Sequence, residues 1–92
     1  MTRFENWSIQ VHLGQYRIPR LTSSALYLCG NVYGHHDIGN GRRIKSSKIL
    51  GLDIKDKLVQ TVDAVYRLGK PDRRYIEWLE RNKYSLDDLL LK

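Results

Sequence analysis

The spacing of apolar residues changes once along this chain, and that change limits the folds open to it. Before residue 69, apolar side chains recur at alternate positions in short runs; beyond it they recur at every third and fourth position. A period of two belongs to strands with one buried face, and a period near 3.6 to an amphipathic helix. The runs 7–11, 16–18, 25–33, 42–54, 58–62 and 65–68 predict four to six short strands. Gly14, Gly39-Asn40-Gly41, Lys55-Asp56-Lys57 and Asp63-Ala64 separate them, and connections this short pair neighbours antiparallel. The expected fold is mainly β (α+β), a small antiparallel β-barrel or bent sheet capped by a C-terminal helix and a short final helical turn. At 92 residues the chain makes one domain, β-rich over 1–68 and helical over 69–92.

The run 25–33 is apolar on both faces. Leu26, Leu28 and Val32 share one with Gly30, and Ala25, Tyr27, Cys29, Asn31 and Tyr33 share the other, as in a central strand. Gly30 inside it predicts a bulge or a close backbone approach. Along 42–54, Arg43, Lys45 and Ser47 fall on one face, and Arg42 and Lys48 on the opposite parity. Ile49-Leu50 then disturbs the alternation, with Gly51 marking a bulge or bend. Residues 20–24 read as a loop. Gly69-Lys70-Pro71-Asp72 is a helix start, followed by a stripe of Tyr75, Trp78, Leu79 and Asn82 that Ile76 widens. Ser85-Leu86-Asp87-Asp88 has the form of a second helix cap leading into Leu89-Leu90-Leu91.

A formal charge of +6 and a sequence pI near 9.7 favour an anionic partner, though a charge of this size also serves solubility. One cysteine leaves no internal disulfide. No apolar run reaches membrane-spanning length, so a cytoplasmic protein with no membrane partner is expected. A core this small favours self-association, and a homo-oligomer is expected for that reason.

Chemistry-bearing residues concentrate in 30–50. His35-His36-Asp37 places titratable groups in a glycine-rich loop, where they serve either as ligand contacts or as partners of local backbone. Cys29, His35, His36 and Asp37 carry metal-ligand atoms without the spacing of a zinc site. Gly34, Gly39 and Gly41 fit turns, and match neither a P-loop nor a dinucleotide fingerprint. Arg42, Arg43, Lys45 and Lys48 form the densest cationic run, with Ser46 and Ser47 among them. The expected ligand-binding residues are Tyr33, His35, Arg42, Arg43, Lys45, Ser46, Ser47 and Lys48, with no catalytic residue, metal or cofactor. Arg17, Arg20, Arg67, Lys70, Arg73 and Arg74 would extend this surface if the fold gathers them.

Gly30, Val32, Tyr33, Gly34 and His35 spell G-x-V-Y-G-H. After Gly41, residues Ile44, Ser46, Ser47 and Ile49 spell I-x-[ST]-S-x-I, and Thr61, Tyr66, Leu68 and Gly69 complete T-x-x-x-x-Y-x-L-G. This combination resembles a group of small, poorly characterised phage and bacterial proteins. The resemblance implies a small inhibitor or sequestering protein acting against host defence. With the charge pattern, the expected function is a non-catalytic sponge for an anionic nucleotide-type ligand. Two alternatives stand beside it. One is an inhibitor or adaptor that binds nucleic acid or a protein partner, such as a host defence protein, through the basic strand. The other is a small hydrolase using His35, His36 and Asp37.

Overall fold

Leu28 and Val32 are fully buried, and the strand that carries them, β2 (Tyr27–Tyr33), is hydrogen-bonded on both sides. The computed structural model describes residues 1–11, 14–19 and 24–89. Around β2 run β1 (Arg3–Gln10), β3 (Arg43–Asp53), β4 (Leu58–Thr61) and β5 (Val65–Leu68), in the ring order β1-β2-β3-β4-β5. Sequential neighbours are antiparallel, as the short connections predict. An odd number of strands leaves the closing pair parallel: Arg3 lies opposite Arg67, and Phe4 opposite Leu68. Helix α1 (Arg73–Arg81) and a 3₁₀ turn (Leu86–Leu89) complete the described chain, so the mainly-β barrel with a helical C-terminal end is the observed architecture. No described helix is long and apolar enough to cross a membrane.

Strand β1 begins four residues earlier than its alternation indicates, because Phe4 is a fully buried core residue. Its pattern is broken by a bulge: Glu5 to Ser8 spans three steps against two from Asn31 to Cys29, with Asn6 at φ 51°. The bulged strand leans over Gly30, where a β-carbon would lie 2.8 Å from the Glu5 carbonyl oxygen and 3.1 Å from Trp7 Cα. That is the close approach expected at this glycine. Residues 16–18 do not form a strand; Tyr16 makes a single bridge to Gln10, and Gly14 turns the chain at φ 77°. The loop expected over 20–24 lies outside the described residues except for Ser24, as do Leu90 and Leu91.

The core gathers Phe4, Ile9, Leu28, Val32 and Val59 inside the ring, each contributing on the order of 2 kcal/mol by burial. Phe4 meets Tyr66 edge-on, with ring centroids 5.0 Å apart. At the helical end Asp72 accepts the Arg74 N–H at 2.8 Å, fixing the start of α1 one residue after the expected Pro71-Asp72 signal. Tyr75 is fully buried against Trp7 and Tyr16 and donates its hydroxyl to the Arg17 carbonyl at 2.7 Å. The helix thereby holds the bridge segment against the barrel. The Ser85 cap is also present: Asp88 accepts the Ser85 N–H at 2.7 Å.

Candidate anion-binding face

The basic strand does not keep one alternation. Tyr27 is opposite Lys48 and Cys29 opposite Lys45, so β3 carries one residue more than β2 across this interval. The extra residue belongs to Ser46-Ser47, both facing Leu28. Bulging leaves the Leu28 N–H without a backbone acceptor, and the buried Ser46 hydroxyl accepts it at 2.9 Å while donating to the Ser47 carbonyl at 2.7 Å. The consequence is a change of phase. Lys48, not Ser47, continues the outward row begun by Arg43 and Lys45, which corrects the face assignment read from simple parity. Ser47 instead accepts the Asp63 N–H at 3.3 Å and ties β3 to the β4–β5 turn.

Across the outer face the row on β3 meets Tyr27, Cys29 and Asn31 on β2, and Tyr33, next on the same parity, lies opposite Arg3 on β1. Lys45 Nζ stands 4.6 Å from the centre of the Tyr27 ring, and the Arg3 guanidinium 5.1 Å from that of Tyr33. Asn31 lies between them, donating to the Gly41 carbonyl at 2.9 Å. Arg43 and Lys45 both bear electrostatically on Cys29; they lower its thiol pKa, but burial outweighs them and the net direction is upward. Arg43 also faces Asp72 at 3.9 Å, a long contact in which the arginine is half-exposed and the aspartate largely covered. Arg42 is exposed but precedes β3, its backbone pairing with Val32 and Gly39, so it stands beside the row rather than in it.

The loop histidines are turned to local work. His35 Nδ1 accepts two backbone N–H groups, from Asp37 at 3.0 Å and Ile38 at 3.2 Å, which assigns the ring proton to Nε2. His36 stacks on His35 with centroids 4.9 Å apart and reaches Asp37 at 2.9 Å, in a pair almost wholly in solvent. Among the described residues no three His, Cys, Asp or Glu side chains gather in a metal-binding cluster. Of the expected ligand contacts, the structure brings Tyr33, Arg43, Lys45 and Lys48 onto one face. Arg42 stands at its margin, and Ser46, Ser47 and His35 hold the chain itself.

Arg3 and Tyr27 are the members of this face that the sequence reading lacked. Tyr27 shares the parity of Tyr33, which was a usable signal. Arg3 gave none, because it precedes the run that alternates clearly.

Most residues of the G-x-V-Y-G-H, I-x-[ST]-S-x-I and T-x-x-x-x-Y-x-L-G pattern serve the fold. Gly30 makes room for β1; Val32, Ile49, Tyr66 and Leu68 are core; Gly34 and Gly41 take φ 79° and 85°. Thr61 Oγ1 caps the Ala64 turn. These residues build the barrel, whereas Tyr33 lies on the outer face and the exposed cations Arg43, Lys45 and Lys48 fall between the pattern positions. No family model, curated protein or solved structure matches the chain.

Proposed function

We propose that this protein is a non-catalytic binding domain whose outer β1–β2–β3 face takes an extended, phosphate-bearing ligand, single-stranded nucleic acid above all. The observation that carries the reading is the pairing of each exposed-face tyrosine with a cation, Tyr27 with Lys45 and Tyr33 with Arg3. Rings offer sequence-tolerant stacking to bases, and adjacent cations meet the phosphates that link them. Six strand positions separate the two tyrosines, about 20 Å at the usual rise. That span favours several linked nucleotides over one. Sequestering a single nucleotide calls for a concave site that surrounds it, and an outer sheet face gives little enclosure. In the phage setting that the sequence pattern implies, such a domain acts as an inhibitor or adaptor on nucleic acid.

Fluorescence anisotropy with a labelled oligo(dT) 12-mer tests this. Contacts to about three phosphates give a log–log salt slope near −2. The Arg43→Ala/Lys45→Ala protein should bind at least about tenfold more weakly and show a shallower slope. Tyr27→Ala should weaken binding by about 1–3 kcal/mol with the slope unchanged. Binding that ignores both salt and these substitutions overturns the proposal.

A further inference from the structure

Another part of the barrel carries a cavity with both apolar and charged lining. An open cavity of about 370 Å³ lies between the β1/β5 junction and the 3₁₀ turn. Trp7, Leu68 and Leu86 supply apolar wall, and Glu5, Lys57 and Lys70 supply charge. Its size is in the range of small-molecule sites. We propose that this cavity binds a small organic anion with a flat apolar body, through Lys57 and Lys70 over the apolar wall.

Three observations converge on this. The first is the state of Glu5. Its carboxylate accepts the Lys70 N–H at 2.8 Å and pairs with Arg3 at 2.6 Å, so the one anion in the wall is already neutralised. The second is that Lys57 and Lys70 are exposed and have no carboxylate partner among the described residues, which leaves the cavity a net cationic rim. The third is backbone conformation. Lys57 closes the β3–β4 turn at φ 57°, a left-handed position that glycine or asparagine fills at lower cost. Its carbonyl accepts the Leu68 N–H at 2.8 Å, so the strained residue is anchored beside the cavity. That anchored turn holds the Lys57 side chain on the cavity rim.

The test uses the full chain and 8-anilinonaphthalene-1-sulfonate, a naphthalene body bearing one sulfonate. Saturable binding of one dye per chain is expected. Lys57→Gln/Lys70→Gln should weaken it about tenfold, and the uncharged N-phenyl-1-naphthylamine should bind the parent protein more weakly by a similar factor. Leu86→Glu, at a solvent-facing position, should also weaken the dye while leaving the thermal unfolding midpoint within a few degrees. Arg43→Ala/Lys45→Ala, on the outer face, should leave dye affinity within about twofold. Non-saturable binding, undiminished affinity in the rim variants, or equal loss in the outer-face variant overturns the site. Oligonucleotide binding by the outer-face variant tests the first proposal and dye binding by the rim variant tests this one, so the two stand or fall separately.

Discussion

The Ser46 hydroxyl replaces a backbone acceptor for Leu28, and that one hydrogen bond of 2.9 Å decides which way the basic strand presents its charges. Without a polar atom at this point, the bulge would leave a buried N–H unsatisfied. The serine that reads as a neutral ligand contact is therefore the residue that lets Arg43, Lys45 and Lys48 form one row.

Ser46→Ala should accordingly destabilise the fold by about 1–3 kcal/mol, the cost of orphaning a buried donor. Ser47→Ala, whose 3.3 Å bond lies near the surface, should cost under about 1 kcal/mol. Urea denaturation at constant m-value separates the two. Equal costs would show that the Leu28 N–H finds another acceptor.

Glu5 and Gly69 form a second interlocked pair, because a β-carbon on Gly69 would occupy the place of the Glu5 carboxylate. Gly69→Ala should displace that side chain from the Lys70 N–H and cost about 1–2 kcal/mol. In a Glu5→Ala background the same substitution should cost at least about 1 kcal/mol less, since the obstruction is gone. Gly30→Ala meets backbone instead of a movable carboxylate, and should cost more than Gly69→Ala in the same denaturation assay. Additive Glu5 and Gly69 effects would count against the interlock.

Stability at alkaline pH should be limited by Tyr75. Burial raises its phenol pKa far above the ordinary value, with no opposing cause, so the folded state keeps a proton that the unfolded chain releases near pH 10. The stabilisation is whole below that pH and declines as pH rises above it, by up to about 1.4 kcal/mol per pH unit for this group. Tyr66, also raised chiefly by burial and further by Asp63, acts in the same direction. Tyr75→Phe loses the bond to the Arg17 carbonyl, about 1 kcal/mol at neutral pH, yet should show a flatter fall between pH 10 and about 11.5. Chemical denaturation across that range measures both; parallel curves would remove Tyr75 from the account.

His35 and His36 should separate cleanly despite their adjacency. His35→Ala removes the acceptor of the Asp37 and Ile38 N–H groups and should shift both amides in a ¹⁵N–¹H correlation spectrum, whereas His35→Asn, with a side-chain acceptor, should restore part of the shift. His36→Ala removes an exposed pair and should change stability by under about 0.5 kcal/mol. Large shifts for His36→Ala with none for His35→Ala would reverse the assignment.

Much of the architecture was legible before any coordinates. The shift from a period of two to one of 3.6, the tight turn residues and the caps at Asp72 and Ser85 determine a small barrel of antiparallel neighbours with a helical end, because each is a local preference written in consecutive residues. The site was legible only in part. Concentration of charge in 42–48 was visible, and so was the shared parity of Tyr27 and Tyr33. What only the tertiary structure decided is the direction those charges face. One extra residue in β3 reverses the outward face beyond it, and that residue is an insertion relative to Leu28 on another strand. Parity is a property of one strand, whereas a bulge is a property of two. Arg3 joined the face for the same reason: its partners Tyr33 and Arg67 lie far along the chain and meet it only when the ring closes.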